Sequence, residues 1–282
     1  MSWRLRVVHS TGFAYDGPVT SSYNEARLTP RSDPRQNVIV NRVETVPATR
    51  AYRYTDYWGT AVTAFDLHAP HDELEVTGMS VVETEPGPRV PEDELATWDD
   101  LNSEEVKDRY DEMLSYTEYV PRNRQLIAAA KRVAKGLTPE ETVEAVARYV
   151  HEEMEYVPGT TGVHTTAVDA WNERKGVCQD YAHLTLVMLR GLGIPARYVS
   201  GYLHPRPDAK IDKTVQGQSH AWIEAWTGGW WDIDPTNNTP ITEQHVSVGI
   251  GRDYADVSPL KGVYTGGKAK DLDVIVEITR LA

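Results

Sequence analysis

The 282-residue chain holds one cysteine, Cys178, in a setting suited to nucleophilic chemistry. Gly176-Val177 leads into it, and Leu184, Val187 and Met188 follow on the way to Gly191 as one apolar helical run. The sulfur is therefore expected at a helix N-terminus. Free backbone N–H groups and the helix dipole there favour the charged thiolate, which is the form that attacks carbonyl carbon. The alternative use of a lone cysteine is as a small buried hydrophobe. A single cysteine can form neither an internal disulfide nor a Cys-rich zinc site.

A thiol nucleophile needs a base, and the chain offers nine histidines. His220 heads the strand-like segment Ser219–Trp226, from which it can reach into a cleft and accept the thiol proton. His151, His164, His183 and His204 lack a comparable partner pattern and read as structural or exposed. A carboxylate on a neighbouring strand can hold the far ring nitrogen of the base. Asp232 and Asp234, in Trp231-Asp232-Ile233-Asp234-Pro235-Thr236, share one face of a regular strand, so spacing leaves both open. The Cys178 backbone N–H is a natural oxyanion donor, with Tyr156 and Asn172 as candidates for a second. Gln179 and Asp180 follow the sulfur directly, and Asp180 is suited to bonding the N-terminal backbone groups. Trp222, Trp226, Trp230 and Trp231 can line an acyl-donor cleft or fill the core.

These residues need a frame to position them. Residues 1–86 read as β structure, with short alternating runs around Leu5, Val38, Val62 and Val76 broken by Gly17-Pro18, Pro30, Pro47, Gly59 and Pro70. Glu85-Pro86-Gly87-Pro88-Arg89-Val90-Pro91 is a proline-rich connector. From about residue 99 the period is helical. Ser103 marks one helix start, and Thr138-Pro139-Glu140-Glu141 is a capping box with proline at the first helical position. Val143, Val146, Ala147, Val150 and Met154 continue it as a buried face. Strand-like segments Ala196–Leu203, Ser219–Trp226 and Trp230–Asp234 follow, and 272–279 alternate as a terminal strand. The pattern predicts an α+β fold in three parts: an N-terminal antiparallel β-sandwich-like domain (1–88), a linker with a helical segment (89–122), and a catalytic core with C-terminal strands (123–282).

Composition narrows the function. Lys plus Arg number 29 against 42 Asp plus Glu, a net charge of −13, which argues against nucleic acid or anionic membrane as partner. No stretch reaches bilayer length. MSWRLRVVHS carries no signal-like apolar run, so the cytoplasm is the expected compartment. Asp208 and Asp212 are too sparse for a calcium loop, and no cofactor or metal is expected. A metalloenzyme built on His220, His204 and a carboxylate is a remote alternative. A non-enzymatic binding or scaffold protein is another.

Three ordered blocks carry a resemblance. Gly176-Val177-Cys178-Gln179-Asp180-Tyr181-Ala182-His183, then Ser219-His220-Ala221-Trp222, then Asp234-Pro235-Thr236-Asn237 resemble the transglutaminase-like superfamily. Gly193-Ile194-Pro195-Ala196-Arg197 is similar to that family's helix-to-strand link. His9-Ser10-Thr11 with Tyr15, and Glu25–Arg31, resemble the β domain found before bacterial members. His245–Val257 resembles the segment after the core. The resemblance implies a papain-like core in which Cys178, His220 and Asp234 form the triad, since the family's aspartate directly precedes Pro-Thr. It implies action on a peptide or carboxamide bond of a protein or peptide substrate, with water or an amine as acceptor. His9 and the Arg252/Asp253 pair read as structural.

Overall fold

The computed structural model describes residues 2–282, with side chains outside 271–273. Strands come first: β1 (Trp3–Ala26), β2 (Gln36–Val46), β3 (Ala51–Thr55), β4 (Ala61–Leu67) and β5 (His71–Thr84). Helices follow: α1 (Trp98–Asn102), α2 (Glu104–Arg109), α3 (Asp111–Leu114), α4 (Arg124–Val133) and α5 (Pro139–Glu153). The middle of the chain holds β6 (Glu155–Tyr156), α6 (Ala167–Glu173), β7 (Lys175–Gly176) and α7 (Cys178–Gly191). Next are β8 (Ala196–Leu203), β9 (Thr214–Gln216), β10 (Gln218–Trp226), β11 (Trp230–Asp234), β12 (Thr239–Pro240) and β13 (His245–Gly251). The chain ends with α8 (Tyr254–Val257), β14 (Leu260–Gly266) and β15 (Ala269–Arg280).

Local signals fix many of these boundaries. Thr138 accepts the Glu141 backbone N–H while the Glu141 carboxylate accepts that of Thr138, the reciprocal box that starts α5 after Pro139. Ser103 caps α2 through the Val106 N–H. Helix α7 is buried from Gln179 to Arg190 on every side, as befits a helix at the centre of a core. Around it pack Leu126 and Ala130 of α4, Val143 and Val150 of α5, and Ile223 and Ile233 from β10 and β11.

Apart from the short parallel pair β6–β7, the strands divide between two large antiparallel sheets. β12-β11-β10-β8-β13 forms the sheet beside α7, and none of β1–β5 joins it. The other sheet joins β1–β5 with β9, β14 and β15. Here the expectation that the C-terminal strands belong with the catalytic core is corrected. β15 pairs with β1 from Leu5↔Arg280 to Tyr15↔Ala269, and β14 pairs with β1 from Val19↔Gly266 to Ala26↔Leu260. Alternation identifies a strand but not its partner, because pairing over so long a separation is set by tertiary packing. The break expected at Gly17-Pro18 is also corrected, since β1 runs through it. The registers with β5 and β15 shift just after Ala14, so Pro18 lies where the ladder is already interrupted and no N–H is required of it.

The two sheets are packed together rather than merely tethered. Trp3, Leu5, Val7 and Val82 of one meet Tyr202, Val246 and Val248 of the other in a shared apolar cluster with Val276 and Ile278. Arg35 and Gln36 reinforce this contact, Arg35 Nη1 donating to the His245 carbonyl (2.9 Å) and Gln36 Nε2 to that of Ser247 (2.8 Å). The connector beyond β5 is exposed from Glu92 to Glu94 and returns to the core where the Ala96 N–H donates to the Thr227 carbonyl (2.7 Å). Among the described residues no helix is long and apolar enough to cross a membrane.

Ile278, near the end of the chain, is fully buried in the cluster between the sheets. Ile278→Ala is expected to cost ~2–5 kcal/mol of unfolding free energy, the range for deleting a buried isoleucine side chain. Urea unfolding would measure it, and a loss well below about 1 kcal/mol would contradict a structural role for the last strand.

Candidate active site

Cys178 is the first residue of α7, so its backbone N–H is not consumed by the helix's own ladder. The approach is fixed by Gly176 and Asp180. Asp180 Oδ2 accepts the Val177 N–H (2.8 Å) and the Thr161 hydroxyl (2.6 Å), tying the loop before Cys178 to the first turn. A Cβ at Gly176 would stand 2.5 Å from that same Oδ2 and 2.7 Å from the Asp180 Cβ. Glycine is thus the residue that lets the buried carboxylate lie against the loop. Burial raises the Asp180 pKa, opposed by these hydrogen bonds.

His220 enters from β10, opposite Gly201 of β8. A Cβ on Gly201 would lie 2.1 Å from the Val246 carbonyl oxygen, so glycine allows β8 and β13 to close beside the histidine. His220 Nε2 lies 2.7 Å from Asp234 Oδ2. Cys178 and His220 line one cavity, Cys178 helps raise the His220 pKa, and Nδ1 is the ring nitrogen not engaged by Asp234. The ring nitrogen that the carboxylate holds is Nε2.

Asp234 ends β11 and is fully buried. Pro235 offers no N–H, and the chain turns so that Asp234 Oδ1 accepts the Thr236 (2.9 Å) and Asn237 (3.2 Å) backbone N–H groups. Oδ2 accepts from Asn237 Nδ2 (2.6 Å) as well as from His220. His245 adds a more distant contact, its Nε2 lying 3.4 Å from Oδ2. The Thr242 N–H donates to His245 Nδ1 (3.2 Å), which leaves the His245 proton on Nε2, facing the carboxylate. The turn is pinned from outside by His151, whose Nδ1 donates to the Thr236 carbonyl (2.9 Å).

The electrostatics follow from these contacts. Burial alone would lower the His220 pKa, but the Asp234 charge and hydrogen bond, with Cys178 assisting, outweigh it and raise it to about 10. Burial would raise Asp234, yet the charge and hydrogen bond of His220, joined by His245, hold it well below the usual carboxylate range. His245 is lowered, burial outweighing Asp234, and so stays neutral. Asp232 differs in kind. Burial first, then the Glu224 charge, raise its pKa to about 8, and its Oδ1 accepts the Trp222 indole N–H (2.8 Å). Its carboxylate is turned to the Trp222 indole, and the one that bonds His220 is Asp234.

His220, Asp234 and His245 present ligand-type atoms within 4.8 Å of one another. The 2.7 Å between His220 Nε2 and Asp234 Oδ2 is that of a shared proton. Two ligands of one tetrahedral zinc at ~2.0–2.1 Å would stand roughly 3.4 Å apart. His204 lies elsewhere, edge-on to Trp3, and does not join the group.

Cys178 and His220 line one cavity of about 230 Å³. Gln179, Tyr198, Ser200 and Ser219 contribute to it, and the far wall comes from the other sheet through His9, Thr11 and Val274. His9 Nδ1 bonds the Tyr202 hydroxyl (2.9 Å), and burial lowers its pKa to about 4. Of the remaining expected residues, Tyr156 lies on exposed β6 within electrostatic reach, its pKa raised by burial and then by Cys178 and Asp234. Asn172 is exposed on α6 and does not line the cavity, because its helix turns that face to solvent. Trp222 is fully buried among Val199, Ile241 and Ile250, in the core rather than the cleft. Arg252 pairs with Asp256 (2.9 Å), while Asp253 caps α8. Sequence reasoning assigned no role to His245 or Asn237, although both stand in the blocks that carry the resemblance.

A pH window follows for His220. Its proton is retained in the folded chain but released by the unfolded chain above the ordinary value of 6.5. The stability it contributes is complete below that value and declines as the pH rises towards about 10. Asp234 behaves oppositely, its contribution being lost as the pH falls below the ordinary carboxylate value of about 3.9. Thermal unfolding from neutral pH upward should show the alkaline decline in the native protein and a flatter profile in His220→Gln. Parallel profiles would refute the coupling.

Known proteins resemble this chain in sequence and in fold. Residues 127–235 match the transglutaminase-like superfamily, and residues 5–83 match the bacterial transglutaminase-like N-terminal region. An uncharacterised protein of Mycobacterium leprae is 62% identical over 99% of this chain and 100% of its own length. A protein-glutamine gamma-glutamyltransferase of Pseudomonas aeruginosa is 36% identical over 97 residues, which is 32% of this chain and 14% of that protein. A crystal structure of a proposed cysteine protease from Cytophaga hutchinsonii has the same fold, with a TM-score of 0.79 over 100% of this chain and 92% of that one at 21% identity. The chain belongs to the transglutaminase-like superfamily.

Proposed function

We propose that the protein is a cysteine hydrolase acting on peptide or carboxamide bonds through Cys178, His220 and Asp234. One observation carries this reading: the single cysteine stands at a helix start within reach of a histidine whose other nitrogen is held by a buried carboxylate. In the reacting pair the proton rests on His220 Nδ1, and the Cys178 thiolate attacks the carbonyl carbon. The Cys178 N–H donates to the developing oxyanion. His220 then protonates the leaving amine, which departs and leaves a thioester. Water adds to that thioester as His220 accepts its proton, and the acid is released with the thiol restored.

Transfer to an amine instead of water is the second reading, supported by the likeness to the Pseudomonas transferase over 97 residues. Hydrolysis is preferred because, among the described side chains, no carboxylate lines the Cys178 cavity to gather a cationic amine. Incubating the protein with a panel of peptides and amines, and following ammonia, cleavage products and isopeptides, tests both. Cleavage that is absent in Cys178→Ala supports hydrolysis, isopeptide formation supports transfer, and turnover that survives in Cys178→Ala rejects the thiol mechanism.

The aspartates separate on the same substrate. Asp234→Asn is expected to lower turnover by up to ~10⁴-fold, as loss of the orienting carboxylate does in a serine triad, though a Cys–His pair can depend on it less. Asp232→Asn is expected to have far less effect, because Asp232 serves the Trp222 indole. A large loss in Asp232→Asn beside near-normal Asp234→Asn would reverse the assignment.

A further inference from the structure

The cavity holding Cys178 does not end at its own walls. Val163, Tyr254 and Leu260 also line a second cavity of about 420 Å³, so the two are neighbours across a shared neck. The second cavity lies between aromatic side chains of the two layers. Phe13, Tyr15 and Tyr264 come from strands β1 and β14, while Tyr119 and Tyr254 come from the helical side. On one wall Phe13 stacks on Tyr15, and Tyr15 tilts against Tyr264 at 5.3 Å between ring centres. On the other, Tyr119 and Tyr254 meet edge to face at 6.3 Å. These rings pack within each wall and leave the space between the walls open.

We propose that this aromatic cavity is a substrate subsite that takes a neutral aromatic side chain from the acyl portion of a peptide substrate. The inference rests on the reading of Cys178 as nucleophile. Its polarity follows from the lining, which among the described side chains includes Lys261 and no carboxylate and so favours a neutral over a cationic side chain. Rings standing on opposite sides of a gap suit a third ring, which gains edge-to-face or offset contacts in addition to burial.

The side of the scissile bond follows from the proton path. His220 delivers its proton to the leaving amine, so the amine portion lies next to His220. The neck to the aromatic cavity runs through Val163, Tyr254 and Leu260, and His220 does not line that cavity. The smaller cavity has room for about one residue beside the reacting carbonyl, which makes the next residue on the acyl side the one that enters the aromatic gap.

Peptidyl fluoromethyl ketones test this with the full chain, since the warhead alkylates the nucleophilic thiol without requiring a known substrate. Acetyl-Phe-Ala, acetyl-Ala-Ala and acetyl-Lys-Ala fluoromethyl ketones are compared by the rate of Cys178 adduct formation, read by mass spectrometry. The Phe probe is expected to label at least about tenfold faster than the Ala probe, the factor that follows from burying most of an aromatic side chain. Ala255 lines the same cavity and is exposed. Ala255→Trp is expected to bring the Phe-to-Ala rate ratio close to one by filling the gap, and Tyr264→Ala to lower that ratio by removing one ring. Equal rates for all three probes, a Lys probe that labels fastest, or a ratio unchanged in both variants would overturn the subsite. No labelling of Cys178 by any probe would instead reject the nucleophile reading and the subsite with it, a result distinct from equal labelling.

Discussion

A carboxylate taken wholly out of water has to be repaid by hydrogen bonds, and that requirement at Asp234 organises the site. Transfer of an unpaired carboxylate to the interior costs several kcal/mol even after relaxation. Here the two oxygens collect the His220 ring, the Asn237 amide and the Thr236 and Asn237 backbone N–H groups, with His245 behind them. Each donor arrives from a segment whose path would otherwise be free: β10, the turn after β11, and β13. The charge on Asp234 in turn keeps His220 protonated in a setting that would otherwise strip it. The ring is thereby held by Nε2, and its Nδ1 is left unengaged by the carboxylate. The geometry at Cys178 is thus a consequence of satisfying a buried anion two elements away.

The second constraint is the contact between the sheets. β8 and β13 present Tyr202, Val246 and Val248 to Leu5 and Val7 of the first sheet, and the cluster they form with Ile278 closes the molecule. His9 and Thr11 continue the same inner face of β1 and reach the Cys178 cavity. The first sheet therefore acts as one wall of the cleft while contributing no member of the proposed triad. The Gln36 and Arg35 bonds to Ser247 and His245 fix that wall against the strand that backs Asp234.

What could be read from sequence was what short range determines. The box at Thr138 and Glu141, the helix beginning at Cys178, and the strands Ala196–Leu203 and Trp230–Asp234 are written in capping residues and periodicity. The choice of Asp234 over Asp232 came from Pro235-Thr236 through resemblance, because strand spacing treats the two alike. Other features depend on contacts distant in sequence. The partner of β15 lies more than 250 residues earlier, and the ring nitrogen facing Asp234 depends on where β10 places the whole imidazole. Asn172 had a suitable side chain but an exposed helix face. Tyr119, in a segment with little distinctive patterning, becomes part of a wall only when β1 and β14 stand opposite it.

The most direct measurement is the protonation of the His220 ring itself, by nitrogen-15 NMR of histidine-labelled protein with His220→Gln used to assign the signals. At pH 8 both ring nitrogens of His220 should carry protons, since its pKa is raised to about 10 by Asp234 and Cys178 against the effect of burial. The Nε2 proton should also show the downfield shift of a short hydrogen bond to a carboxylate. A neutral ring at pH 8, titrating near the ordinary value of 6.5, would contradict the charged pair on which the proposed chemistry depends.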